Sequence, residues 1–211
     1  MLTIHHLGVS QSDRIVWLME ELNLPYRLEW YDRGADGLAP PEYRALHPAA
    51  TAPVITDGDR VLTESAVIAE YVSHTYGGGK LSVTPDRANY PDYLYWMHFN
   101  NNVQGLFFAR LALGGKTDGD AARASGFIKK REDAYYGYLN QRLGESTYLA
   151  GPEFTCADIM VTFNLTSLSQ FGGRTIADLP NAKAYVARIT ERPAYVKAMA
   201  IAGPAAKRPG A

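Results

Sequence analysis

Apolar and polar positions change period along this chain, and each change marks an element. Residues 2–7, LTIHHL, form a short run closed by Gly8, which predicts a strand followed by the turn GVSQS. Over 13–22, apolar residues at 15, 16, 18, 19 and 22 follow helical spacing and define an apolar face. Asn23-Leu24-Pro25 stops that helix, because a residue before proline is pushed out of the α region. Residues 26–30, YRLEW, supply a second strand, and the unit is β-α-β with parallel strands. A Pro/Gly/Asp-rich stretch leads into PPEYRALHP, a loose surface helix. Apolar runs at 52–55 and 60–62 flank Asp57-Gly58-Asp59, a hairpin signal. Glu64-Ser65 then opens the helix SAVIAEYVSHTY, which stops at three glycines. The predicted order is β-α-β-α-β-β-α, a domain over 1–80 that is small for a core of its own and should pack against the rest.

Beyond a short extended linker at 81–85, the pattern is helical and no strand is predicted. A long aromatic-rich helix covers 87–113 and ends at Gly114-Gly115; others cover 121–143, 155–168, 181–191 and 193–201. This makes 86–203 an all-helical domain, followed by a frayed tail at 204–211. Thr155-Cys156-Ala157-Asp158 precedes an apolar helix and has capping-box spacing, so Asp158 reads as structural. Cys156 sits in that first turn among apolar neighbours, which predicts a buried, inert thiol.

Composition removes several functions. Of 211 residues, 46% are apolar, enough for a packed core. With 21 basic against 22 acidic residues, no field exists to draw nucleic acid or an anionic membrane. One cysteine excludes an internal disulfide and a CxxC redox pair. The N-terminal residues lack a secretion signal and no apolar run is long enough to span a bilayer, so a cytoplasmic protein is expected.

The segments SQSDRIVWLMEELNLPY, HPAATAPVITDGDRVLTESAVIAEYV and FTCADI, in this order, resemble the cytosolic glutathione transferases across essentially the whole chain. The paired APVI and TES segments are the most specific part, and the likeness is greatest to the bacterial and fungal serine-type branches. The resemblance implies a thioredoxin-like first domain, an all-α second domain and a homodimer. It implies that Pro53 is cis, exposing the Val54 backbone to pair with the cysteinyl backbone of glutathione as one more strand would. It makes Glu64 the partner of the γ-glutamyl ammonium and Ser65, at a helix N-terminus, the holder of its carboxylate. Ser10 is the implied catalytic residue, its hydroxyl donating to the glutathione sulfur and lowering the thiol pKa. Ser12, two residues on, is the competing donor or the helix N-cap, and a third possibility is that no side chain is decisive. Arg14 is implied to orient the turn or support the ligand carboxylates indirectly.

No cysteine precedes residue 156, which argues against thiol–disulfide exchange, and no tyrosine precedes residue 26, which argues against tyrosine-type relatives. The chain departs from the family where a long polar side chain usually precedes the cis proline: Thr51 stands there, with His47 and Arg33 as compensating candidates for the glycyl carboxylate. No second ligand is spaced to make His47 a metal site, and no metal is expected. The resemblance places a small hydrophobic electrophile between the turn at 7–10 and the first helix of the second domain. His98, Asn101, Asn102, Phe107, Phe108 and Arg110 are candidates there, and residues 100–102, all asparagine, are locally costly in a helix. The same site suits glutathione-dependent peroxide reduction, isomerisation or ether and halide cleavage. A non-catalytic scaffold of this fold is the remaining reading.

Overall fold

In the computed structural model, which describes residues 1–114 and 118–210, the chain forms two compact units. One comprises Met1–Ser82 with Ile189–Ala211, the other Val83–Arg188. The first unit runs β1 (Thr3–Leu7), α1 (Asp13–Leu22), β2 (Arg27–Tyr31), α2 (Pro41–Arg44), β3 (Val54–Asp57), β4 (Arg60–Thr63) and α3 (Ser65–Thr75). That is the order the periodicity predicts, a thioredoxin-like arrangement. The four-stranded sheet has the order β2-β1-β3-β4. β1 and β2 are parallel because α1 carries the chain back across the sheet, whereas the tight Asp57–Arg60 connection makes β3 and β4 antiparallel. Ile4 pairs with Leu28 and Ile55, and Ile55 with Leu62, so one apolar row crosses every strand.

α1 is buried from Asp13 through Met19, more than a single apolar face would give. The reason is a second cover: α8 (Pro193–Ala202) packs on α1, as do α3 and β1. Trp17 meets the edge of Tyr195 at 4.9 Å. The Arg192 guanidinium grips Glu21 with two bonds of 2.7 Å. α8 is the helix that the periodicity predicts over 193–201, and by its contacts it belongs to this unit. Periodicity locates a helix without saying which surface it covers.

In the second unit, α4 (Tyr90–Ala112) packs on α5 (Gly119–Glu145) and α6 (Cys156–Thr166); α7 (Pro180–Thr190) follows and runs past the boundary. α6 is buried at every position from Cys156 to Leu165, as expected of a helix apolar all round. Gly114 adopts φ +58° just past α4, and Gly115, the other half of the predicted stop, lies outside the described residues. Thr155 begins α6 with the expected capping box. Its hydroxyl accepts from the Ala157 N–H at 3.3 Å, and Asp158 accepts from the Thr155 N–H at 2.9 Å.

Candidate functional site

Strand direction gathers most of the expected site residues. His5, Val54 and Thr63 lie in one cross-strand row, with β1 and β4 running one way and β3 the other. The turn after β1, the Ala52-Pro53 approach to β3 and the Glu64-Ser65 exit from β4 therefore emerge at the same end of the sheet. Leu7 pairs with Tyr31, so the segment after β2 ends there too. Ser10, Thr51, Pro53, Val54, Glu64 and Ser65 share this edge. Beneath it, Leu7, Tyr43 and Val54 form a buried cluster with Ala52, Leu46 and Tyr31 packed against it.

The turn after β1 is held from outside and inside. Val9 sits at φ +55°, a region an L side chain rarely adopts. Arg33 donates to the Gly8 carbonyl at 3.0 Å, the Val9 carbonyl at 3.1 Å and the Gly37 carbonyl at 3.0 Å. Those bonds make Arg33 a clamp on the turn. Inside, the Ser10 hydroxyl donates to the Leu7 carbonyl at 2.7 Å and lies 2.8 Å from the Ser12 hydroxyl. The Ser12 Oγ is 2.7 Å from His6 Nδ1. Ser12 occupies the N-cap position of α1, yet its side chain makes no capping bond. Ser12 is 0% exposed and Ser10 9%.

Burial pushes His6 down to about 4, so the ring is neutral at ordinary pH. Its Nε2 is buried without a hydrogen-bond partner, beside Trp30 at 4.4 Å between ring centroids. In the first turn of α1, burial pushes Asp13 up to about 7, with the Arg14 charge pulling it back. Burial likewise brings Arg14 down to about 10, opposed by Asp13. Arg14 is 1% exposed.

The Ala52–Pro53 bond is cis, as the resemblance implied. Val54 is buried at the start of β3. Glu64 is exposed and holds φ +70°, a strained conformation that costs on the order of 1–3 kcal/mol and persists only where its surroundings impose it. Ser65 is buried as the first residue of α3. His47 Nδ1 accepts from the Ala49 N–H at 3.1 Å, engaging that nitrogen within its own turn, while Thr51 is exposed.

In the helical unit, His98, Asn101, Asn102 and Phe108 are exposed, and Asn100 and Phe107 are buried. Arg110 is engaged by Glu132 at 2.9 Å and by the Gly172 carbonyl at 2.6 Å. A hollow of ≈ 440 Å³ beside this pair is also lined by Lys129, Asp133, Arg174 and Asp178, a charged wall unsuited to an apolar electrophile. Cys156 is buried and is not part of a disulfide. Among the described residues no cluster of side chains could hold a metal, and no helix is long and apolar enough to cross a membrane.

His6 and Asp13 were not singled out from the sequence. His6 left a readable signal: in LTIHHL it shares the period-2 face of Ile4, so a polar ring stands at a core position. Asp13 left none, because an acid at a helix start is ordinarily solvated.

Residues 10–75 match the family model described as "Glutathione S-transferase, N-terminal domain", and residues 108–198 the one described as "Glutathione S-transferase, C-terminal domain". The chain is 30% identical to glutathione S-transferase 3 of Schizosaccharomyces pombe, over 92% of this chain and 85% of that one. It is 29% identical to glutathione S-transferase 3 of Zea mays, over 89% and 87%. A crystal structure of a glutathione S-transferase from Actinobacillus pleuropneumoniae superposes with a TM-score of 0.86 at 32% identity, covering 96% of this chain and 93% of that one.

Proposed function

This chain belongs to the glutathione S-transferase family, and on that premise we propose that it is a serine-type transferase that ionises glutathione beside Ser10 and directs the sulfur at a hydrophobic electrophile. The observation that carries this reading is the Ser10 hydroxyl. It stands at the sheet end that gathers cis-Pro53, Val54 and Ser65, and the Ser10 residue is 9% exposed where Ser12 is 0%. A donor to the sulfur stabilises the thiolate over the thiol. A free thiol has a pKa near 8.5, so a drop of about 2 units ionises most of it at neutral pH.

Val54 is already flanked by His5 and Thr63 in the sheet, so in this reading the cysteinyl part of the tripeptide meets the cis-Pro53 turn that leads into it. Ser65 and the N-terminus of α3 receive the γ-glutamyl carboxylate, and Glu64, held outward at its positive φ, pairs with the ammonium. Thr51 faces the glycyl end with a short side chain, and His47 shapes the turn before it. Arg14 supports the Ser10 turn from beneath. In the reaction the thiolate sulfur forms a bond to an electrophilic carbon, a halide or similar group leaves with the bonding pair, and the thiol proton has already passed to solvent. Proximity of the two reactants supplies much of the acceleration. The protein acts in the cytoplasm as a homodimer in this reading.

Bound-thiol ionisation, followed by thiolate absorbance as pH is varied, tests the proposal. We expect the wild-type midpoint about 2 units below that of free glutathione. Ser10→Ala should return it close to the free value. Glutathione that does not bind, or an unchanged midpoint in Ser10→Ala, overturns the assignment. Turnover of an aryl halide against an organic hydroperoxide then separates conjugation from peroxide reduction.

A further inference from the structure

We propose that His6 and Ser12 are positioning residues that govern where the single hydroxyl proton of Ser10 points. This rests on Ser10 being the thiolate donor. A serine hydroxyl has one proton, and here it is directed at the Leu7 carbonyl, 2.7 Å away. A proton held there is not available to a sulfur. Ser10 can turn it outward only if the buried carbonyl keeps a donor, since an orphaned buried acceptor is costly.

Ser12 is the group placed to take over. Its Oγ is 3.4 Å from the Leu7 oxygen and 2.8 Å from Ser10 Oγ, so one rotation of its hydroxyl moves the proton from the serine to the carbonyl. Ser12 can do so only if its proton is not committed to the imidazole. His6 meets that condition in the tautomer that carries hydrogen on Nδ1. The ring then donates to Ser12 Oγ across 2.7 Å and leaves the Ser12 proton free. The environment favours this tautomer: Nε2 has no partner, and a buried lone pair without a donor is better tolerated than a buried N–H without an acceptor. Burial keeps the ring uncharged, so the tautomer persists at neutral pH.

The two states are therefore defined by proton positions alone. At rest, His6 Nδ1–H donates to Ser12, Ser12 to Ser10, and Ser10 to Leu7. With thiolate present, His6 still donates to Ser12, Ser12 donates to Leu7, and Ser10 donates to sulfur. The Ser12 N–H, 3.3 Å from Ser10 Oγ, remains a donor to that oxygen in both. No covalent bond changes.

The test is the ionisation midpoint of bound glutathione, with kcat and KM, in Ser10→Ala, Ser12→Ala, His6→Phe and His6→Asn. Asn places an amide N–H near the position of Nδ1–H, whereas Phe removes the donor. Ser12→Ala and His6→Phe should each raise the midpoint by about one unit and lower kcat about tenfold, with KM for glutathione little changed. His6→Asn should restore both toward wild type. If Ser10→Ala shifts the midpoint but Ser12→Ala and His6→Phe do not, the relay is wrong and the Ser10 assignment stands. An effect in His6→Phe that His6→Asn fails to rescue also overturns it. An unchanged Ser10→Ala removes both proposals.

Discussion

At the start of α6, Thr155 and Asp158 close a ring of hydrogen bonds; at the start of α1, Ser12, Ser10 and His6 form a chain that ends in an unmatched nitrogen. Asp158 accepts from the Leu149 N–H at 3.1 Å, the Thr155 N–H at 2.9 Å and the Tyr185 hydroxyl at 2.8 Å. Burial still raises its pKa to about 6, because those bonds only partly offset the loss of water. Each partner there has one arrangement. At α1 the hydroxyl in the N-cap position turns away from the helix, and its neighbours admit more than one arrangement of protons. A saturated polar cluster fixes a fold. An unsaturated one leaves a group able to change partners, which a reactive site requires.

The sharpest way to break the contrast is Asp158→Ala. It leaves the two N–H groups and the Tyr185 hydroxyl without their acceptor, at about 1–3 kcal/mol each, so a loss of about 4 kcal/mol is expected in urea unfolding. Activity per folded molecule should stay near wild type; a stable variant would mean that the ring is not the anchor it is drawn as. Ser10→Ala should do the reverse, lowering kcat/KM about 100-fold, equivalent to about 2.7 kcal/mol, while stability changes by less than ~1 kcal/mol. Loss of folding in place of loss of rate would erase the distinction between the two helix starts.

Acid should expose the α1 cluster through His6. Its folded pKa is about 4 against an ordinary 6.5, so between those values the unfolded chain binds the extra proton and stability falls with falling pH. By pH 4 the wild type should have lost about 2–3 kcal/mol relative to His6→Asn, measured by denaturant titration of both proteins at pH 7 and pH 4. Parallel behaviour of the two would show that His6 is not the acid-sensitive end. The smallest effect belongs to Thr155→Ala, which removes a helix cap worth about 1 kcal/mol, with Thr155→Ser restoring most of it in the same unfolding assay.

Legibility in the sequence followed the range of the interaction. The strand–helix order, the Asp57-Gly58-Asp59 hairpin and the Thr155 capping box rest on neighbours a few residues apart, and all are present. The sheet edge carrying Ser10, Val54 and Ser65 was readable only through family resemblance, because register is set by strands distant in sequence. Arg33 reads as a candidate for the glycyl carboxylate until the turn it clamps, at Gly8 and Val9, is folded beside it. Asp13 reads as a solvated helix-start acid until its burial is known. The covering of α1 by α8 joins segments with no local signal in common.

The bidentate bond between Glu21 and Arg192 also sets a schedule for biosynthesis. The ribosome finishes the sheet, then the whole of Val83–Arg188, before the residue that pairs with Glu21 is made. The first unit is thus interrupted in the gene by the second, and during translation α1 waits with the α8-covered side of Trp17 open. A fragment cut at Ser82 carries all four strands of the sheet yet lacks α8, so truncation there produces an exposed apolar face rather than an independent half-protein.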